Sequence, residues 1–224
     1  MIRSRVGFSL LMFMVAVVST PALAIDFPDE VCADCHTNTG GVPSEVTTAD
    51  LRGSIHEDFS CTDCHHDILR VPHPLALAKP DCGICHDDVV EVYEQHGRGI
   101  VGKSDHVPTC QQCHGSHHIL PHTDTESMVH ASNLSSTCGA CHEDQDLLAE
   151  MNIKFKHPIE VYQKGVHGQA TAGGVDTAAS CNDCHSTGGT AHRILPPGSI
   201  ESTINFFNIA ETCGKCHSTI YRSS

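Results

Sequence analysis

Residues 54–86 read SIHEDFSCTDCHHDILRVPHPLALAKPDCGICH, and this stretch is the unit that the rest of the chain repeats. It contains a histidine, a first Cys-x-x-Cys-His motif, an H-x-I-L phrase and a second, closing motif. The same order of features returns twice, and one further motif precedes all three copies. The seven motifs use every one of the 14 cysteines, which are Cys32, Cys35, Cys61, Cys64, Cys82, Cys85, Cys110, Cys113, Cys138, Cys141, Cys181, Cys184, Cys213 and Cys216.

The Cys-x-x-Cys-His motif is the attachment signature of c-type haem. Its two thiols lie on one face of a helical turn, where they can add to the two vinyl groups of one porphyrin, and the next histidine binds the iron. A zinc ribbon does not require that histidine, a thioredoxin-like pair would occur once, and a disulfide framework would leave cysteines outside the motifs. The sequence therefore predicts seven covalent haems c with the proximal ligands His36, His65, His86, His114, His142, His185 and His217.

The other histidines are candidates for the second axial ligand. Beyond residue 24 only Met128 and Met151 offer a thioether, so we expect bis-histidine ligation throughout or nearly so. Alignment of the copies predicts that each offers two distal histidines to its own two haems. Those before Ile-Leu are His66, His117 and His192, and those before the first motif are His56, His96 and His167.

The seventh distal ligand has several candidates. His73 and His130 occupy similar places ahead of a closing motif, and His130 completes the predicted set of ligands. His106 lies four residues before Cys110 and therefore also competes with His96. The remaining alternatives are His118, His122 and His157.

Residues 1–24 are predicted to be a secretory signal peptide. Arg3 and Arg5 precede a nearly apolar run over 6–18, and Ala22-Leu23-Ala24 has the form of a cleavage site. The alternative, an uncleaved anchor, is disfavoured because the run is shorter than the ~20 residues that span a bilayer. We expect a periplasmic or extracellular protein with a heptahaem domain over 25–224 and no membrane span. Its parts would be a first haem segment (25–53) and three two-haem repeats (54–93, 94–164 and 165–224).

The charge balance is acidic. Among 224 residues, 13 Lys and Arg face 27 Asp and Glu, and removal of the two signal-peptide arginines leaves a net charge of −16. This charge disfavours nucleic acid and anionic membrane surfaces as partners. It allows steering towards a redox partner with a basic patch, and the alternative is that the charge serves only solubility.

Aromatic residues make up 4% of the chain and tryptophan is absent, which leaves little material for an ordinary apolar core. We therefore predict a mainly α and irregular fold, with short helices and loops wrapped around a closely packed array of seven haems and little or no β-sheet. Hydrophobic spacing predicts helical extensions over 87–96 and 143–156. Composition predicts a loop over 37–53 and a flexible surface loop over 168–180.

This arrangement resembles the bis-histidine multihaem cytochromes c of bacterial anaerobic respiration. The resemblance covers essentially the whole chain after residue 24, through the motifs and the intervening His-Gly and H-x-I-L phrases. It implies stacked and angled haem pairs in a line or a branched chain that relays electrons. It also implies redox proteins as partners, namely a membrane quinol-oxidising complex, a terminal reductase or an extracellular acceptor.

Within that family, reductases mark their active haem with an open coordination site and often with lysine in place of the motif histidine. All seven motifs here end in histidine. The prediction is therefore an electron carrier of anaerobic respiration without a catalytic site. The alternatives are a multihaem reductase of a small nitrogen or sulfur oxyanion and a filament-forming extracellular cytochrome.

The last residues allow two interpretations. Ile220-Tyr221 resembles Val92-Tyr93 and Val161-Tyr162, each of which is followed within a few residues by a His-Gly pair. This likeness predicts a longer protein in which the next histidine falls at or past Ser224. The alternative is a terminus whose tyrosine only packs on the last haem.

Overall fold

The computed structural model of the protein describes residues 27–36, 48–93, 96 and 107–221. In this part, short helices alternate with turns and irregular segments, and the longest helix has 12 residues. The α-helices are α1 (Asp29–His36), α2 (Cys61–Cys64), α3 (Asp87–Tyr93), α4 (Cys110–His114), α5 (Ala131–His142), α6 (Gln145–Glu150), α7 (Pro158–Lys164), α8 (Val166–Ala172), α9 (Cys181–His185), α10 (Ile209–Gly214) and α11 (Ser218–Tyr221). Two 3₁₀ helices cover Thr48–Leu51 and Cys82–Ile84.

The described residues form no β-strand, and their one isolated antiparallel bridge joins Ser186 and Ile194. The predicted class, mainly helical and irregular with little or no sheet, is therefore confirmed for this part of the chain. None of the helices described here has the length and apolar character needed to cross a bilayer. The predicted signal peptide lies outside the described residues.

The first motif of each repeat begins a helix, and the residue before the first cysteine determines where that helix starts. Ser60, Thr109 and Ser180 are the N-cap residues of α2, α4 and α9, and each forms a capping box with the residue three positions later. The return bonds run from the amides of Ser60, Thr109 and Ser180 to the side chains of Asp63 (2.8 Å), Gln112 (2.6 Å) and Asp183 (2.7 Å).

Repeats two and three share one internal framework between the H-x-I-L phrase and the closing motif. Equivalent residues in the two segments, 117–142 and 192–217, lie 75 positions apart. Three kinds of side-chain bond to backbone carbonyls are shared. Asn133 and Asn208 each donate to two carbonyls. The hydroxyls of Ser127 and Ser202 donate to Leu120 and Leu195, and those of Thr137 and Thr212 donate to Met128 and Thr203. The long loop before each closing motif is thus held by side chains rather than by secondary structure.

This framework predicts a matched loss of stability in the two repeats. The Nδ2 group of Asn208 donates to the carbonyls of Ile200 and Ser202, both at 2.8 Å. Asn208→Ala should lower the free energy of unfolding by about 1–3 kcal/mol because it removes two hydrogen bonds, and Asn133→Ala should do the same. Denaturant unfolding followed by circular dichroism measures both changes. Gln163→Ala, on an exposed part of α7, is the control and should change stability by no more than about 0.5 kcal/mol. Equal effects of Asn208→Ala and this control would contradict the assignment.

Two predictions of local structure are partly wrong, and others can be compared with the structure only in part. The predicted loop over 168–180 is wrong at its start, because residues 168–172 belong to α8 and Gly168 and Thr171 are buried. The predicted extension over 143–156 is helical only in α6, and its end at Met151 is followed by Asn152 with a positive φ of 54°. The extension after the third motif is helical over α3, while 94–95 and most of 37–53 lie outside the described residues.

The apolar core is small. Ile68, Leu148, Met151 and Leu195 are the buried hydrophobic side chains among the described residues, whereas sixteen large apolar side chains are exposed. Phe206 and Phe207, for example, are 82% and 83% exposed. Burial of apolar side chains against one another therefore contributes little to holding these segments together, in agreement with the composition.

Candidate haem-binding sites

All fourteen cysteines lie in the described part of the chain, and none of them forms a disulfide. The first motifs of the repeats lie at the starts of α2, α4 and α9, where the capping boxes fix the helical turn. The closing motifs of repeats two and three lie at the ends of α5 and α10. On one helical turn, two cysteines three positions apart share a face, as attachment to one porphyrin requires.

In repeats one and two, the histidine of the first motif lies beside a histidine from the following repeat. The ring centroids of His65 and His117 are 6.4 Å apart, and those of His114 and His192 are 5.9 Å apart. The interplanar angles are 28° and 27°. Alignment of the copies predicts that His117 and His192 serve haems of their own repeats. Each of them lies instead beside the first motif of the preceding repeat.

Closing-motif histidines face a histidine of their own repeat. The centroids of His86 and His56 are 6.0 Å apart, as are those of His217 and His167, and the planes are tilted by 59° and 43°. In repeat two, the charge of His142 acts on His96 and contributes to lowering its pKa. In each repeat, the histidine before the first motif thus interacts with the closing-motif histidine of the same repeat.

The motif ahead of the repeats has a partner that the predicted ligand set did not include. The rings of His36 and His73 have centroids 5.9 Å apart and planes that differ by 11°. His73 Nδ1 donates a hydrogen bond to the carbonyl of Pro74 at 2.8 Å. This bond fixes the tautomer in which Nε2 keeps its lone pair and can bind a metal. The position of His73 ahead of a closing motif was the available sequence signal.

These distances fit the two axial ligands of one haem iron. Two metal–nitrogen bonds of about 2 Å, together with about 1.1 Å from each nitrogen to its ring centre, place the centroids about 6 Å apart. Ordinary aromatic contacts span about 4.5–7 Å, so distance alone does not decide. Each of the five close histidine pairs joins one motif histidine to one histidine outside the motifs.

The electrostatics of the pairs also suit metal binding. Burial, with a further contribution from His117, lowers the pKa of His65. Burial also lowers the pKa of His114, His56 and His142, and the partner histidine adds to the effect at His114 and His56. A lowered pKa favours the neutral imidazole, which is the form that donates a lone pair to iron. In the described part of the chain, no three His, Cys, Asp or Glu side chains converge to hold a metal ion by themselves. A pair of imidazoles needs only the four porphyrin nitrogens to complete six ligands.

Cysteines of successive motifs interact along the whole chain. The first cysteines interact in three cases through side-chain hydrogen bonds, which join Cys32 to Cys61, Cys82 to Cys110 and Cys138 to Cys181. In the other three cases a second cysteine interacts electrostatically with the next motif, Cys64 with Cys85, Cys113 with Cys141, and Cys184 with both Cys213 and Cys216. Hydrogen-bonded and electrostatic interactions therefore alternate from motif one to motif seven.

Hydrogen bonds between segments support this order. The amide of Cys61 donates to Asp29 Oδ1 at 2.8 Å, and this bond connects α1 to α2. Thr203 Oγ1 donates to the carbonyl of Cys184 at 2.6 Å and connects motif six to the loop before motif seven. Burial and the bond to Asp29 raise the pKa of Cys61 to about 12, so its thiol is protonated at neutral pH.

His130, which completed the predicted ligand set, has a structural role in the fold. Its side chain is buried, and its Nδ1 accepts a hydrogen bond from the amide of Ser132 at 3.3 Å as the N-cap of α5. Nε2 then carries the proton and lies 3.9 Å from Asp176 Oδ1. The equivalent residue of repeat three, 75 positions later, is Asn205, which accepts from the amide of Phe207 at 3.1 Å.

The other candidate histidines are dispersed. His66 is exposed beside His65, and His122 is exposed. His118 Nε2 lies 3.4 Å from where a Cβ on Gly53 would be. His157 Nδ1 is 3.1 Å from Glu143 Oε2, and His106 lies outside the described residues. The motif histidine His185 interacts electrostatically with His142, and no ring of another described histidine pairs with it.

No protein-family model, characterised protein or solved structure matches the chain.

Proposed function

We propose that the protein is a heptahaem cytochrome c that relays single electrons outside the cytoplasm. The observation that carries the proposal is the pairing of motif histidines with non-motif histidines at 5.9–6.4 Å. Bound haems would supply one-electron chemistry at iron, and the chain's own residues hold them. The two cysteines of each motif would hold one porphyrin by thioether bonds, and the paired imidazoles would bind its iron.

The order of the motifs supports a single row rather than a cluster around one centre. Three hydrogen bonds and three electrostatic interactions between cysteines connect motif one to motif seven without omission. Haems attached at these cysteines would follow one another in the same order. We therefore propose that electrons enter and leave at the two ends of the row, at motifs one and seven.

Partners and location follow from charge and from the N-terminal residues. The net charge of −14 for the whole chain favours a redox partner with a basic docking patch. The signal peptide predicted over 1–24 would bring the protein to the periplasm or the cell exterior, where haem is attached to such motifs. We propose a membrane quinol-oxidising complex as donor and a terminal reductase or an extracellular acceptor as recipient.

The proposal predicts seven covalent haems on every mature chain. Mass spectrometry of the intact protein, purified after expression with a cytochrome c maturation system, should show seven haem additions and no thiol that reacts with iodoacetamide. The reason is that the 14 cysteines form seven motifs with none left over. Fewer than seven additions in fully matured protein would contradict the central claim.

A further inference from the structure

The start of repeat one lies against the H-x-I-L phrase of repeat two. The amide of Ile55 donates to the carbonyl of Ile119 at 2.8 Å. The amide of Ile119 in turn donates to Ser54 Oγ at 3.2 Å. Since Ser54 and Ile119 are 65 positions apart in the chain, these two bonds connect segments of different repeats.

Ser54 also holds the segment that follows it in its own repeat. Its Oγ accepts a second hydrogen bond, from the amide of His56 at 3.2 Å. Ser54 is only 4% exposed, so water has little access to replace either bond. One buried hydroxyl oxygen therefore binds two backbone segments, and each segment carries a histidine that lies outside the motifs.

The two histidines belong to the pairs of successive motifs. His56 lies beside His86 of motif three. His117, two residues before Ile119, lies beside His65 of motif two. Groups outside the coordination shell of a metal orient its ligands and tune its properties. A hydroxyl that fixes the backbone next to both histidines can act in this way on two sites at once.

We propose that Ser54 is a positioning residue for the distal imidazoles of two successive haems, those attached at motifs two and three. The inference rests on the proposed function and deepens it, because it names one side chain that controls axial ligation at two places in the row. In Ser54→Ala the bond between Ile55 and Ile119 remains, so the segments stay in contact while both histidines lose a constraint.

The test is a spectroelectrochemical titration of the haem-loaded Ser54→Ala chain. Mass spectrometry of the wild-type chain first establishes seven haems, so that a failure of the proposed function is recognised separately. Two titration components should move to higher potential, because an imidazole that is held less firmly stabilises ferric iron less. They should be the components that His56→Met and His117→Met displace singly. Unchanged potentials at these two haems would overturn the proposal.

Two further variants separate positioning from a general loss of stability. Asn208→Ala also removes two hydrogen bonds to the backbone, but its side chain bonds to the carbonyls of Ile200 and Ser202. It should lower stability and leave the two components in place. Ser54→Thr keeps the hydroxyl and should keep the wild-type potentials. Displacement of the same two components by Asn208→Ala would overturn the proposal.

Hydrogen exchange followed by NMR reports the two bonds directly. The amides of His56 and Ile119 should exchange slowly in the wild-type chain, and about three- to tenfold faster in Ser54→Ala, as expected for the loss of one hydrogen bond at each amide. If Ser54→Ala takes up fewer than seven haems, the wild-type chain alone decides. Exchange at both of its amides as fast as in an unstructured peptide would overturn the proposal.

Discussion

Replacement of both Cys110 and Cys113 by alanine is expected to divide the proposed row of haems into two groups that no longer exchange electrons rapidly. Motif four interacts with motif three through Cys82 and with motif five through Cys141. Loss of its haem leaves a gap the width of one porphyrin. Because electron tunnelling slows exponentially with distance, we expect exchange between the two groups to slow by orders of magnitude. Reduction by a stopped-flow pulse of a small donor should become clearly biphasic at the haem bands.

The matched control removes a haem from the end of the row. In the double variant Cys32→Ala and Cys35→Ala, motif one is lost and the six remaining motifs keep their contacts. Reduction should then lose one seventh of its amplitude and stay monophasic. If both double variants behave alike, the haems do not form a single row in chain order.

Replacement of His117 by methionine is expected to raise the reduction potential of one haem by a sizeable part of the about 0.8 V range that axial ligands span. A thioether stabilises ferrous iron relative to imidazole, so mixed ligation raises the potential. Spectroelectrochemical titration should show one component displaced upwards and six nearly unchanged. His192→Met should act in the same way on another haem, while His118→Met, at an exposed neighbouring position, should change none.

The structure also predicts which haem changes. His117 lies beside His65 of the preceding repeat and not beside a motif of its own repeat. In His117→Met, the titration component with the raised potential should therefore disappear when Cys61 and Cys64 are also replaced by alanine. It should persist when Cys110 and Cys113 are replaced. The reverse result would favour the pairing within each copy that alignment of the repeats predicts.

The sequence predicted the local features of these sites better than their pairing. The motifs, the H-x-I-L phrases and the histidines before the first motifs could all be found by alignment, and five of the six repeat histidines lie beside a motif histidine. Alignment shows which residues are equivalent, but it does not show whether an equivalent residue contacts its own copy or a neighbour. That depends on how the repeats pack, which the spacing of the motifs does not specify.

His73 and His130 show the same limit. Both precede a closing motif by a similar distance, and only the structure shows that one contacts His36 while the other caps α5. Repeat three has Asn205 at the position of His130, and this was the sequence signal that separates them, because an asparagine side chain can accept the same kind of backbone hydrogen bond but is a poor iron ligand.

Residues 168–172, at the start of the predicted loop over 168–180, form a helix although the segment is rich in glycine and alanine. Gly168 has a packing reason instead. A Cβ at this position would lie 2.2 Å from the carbonyl oxygen of Tyr162, so only glycine allows α8 to lie this close to α7.

If the chain is exported and loaded with haem as proposed, the exchange of histidines between repeats has a consequence for the order of these events. In the first repeat, the closing motif pairs its histidine His86 with His56 of the same repeat. The first motif of that repeat pairs its histidine His65 with His117, which belongs to the next repeat. A chain that emerges from the membrane with its N-terminus first would thus complete the later motif of each pair before the earlier one. Until the next repeat arrives, the earlier haem would keep one side unprotected, so the growing protein is most vulnerable to stray ligands at its newest end.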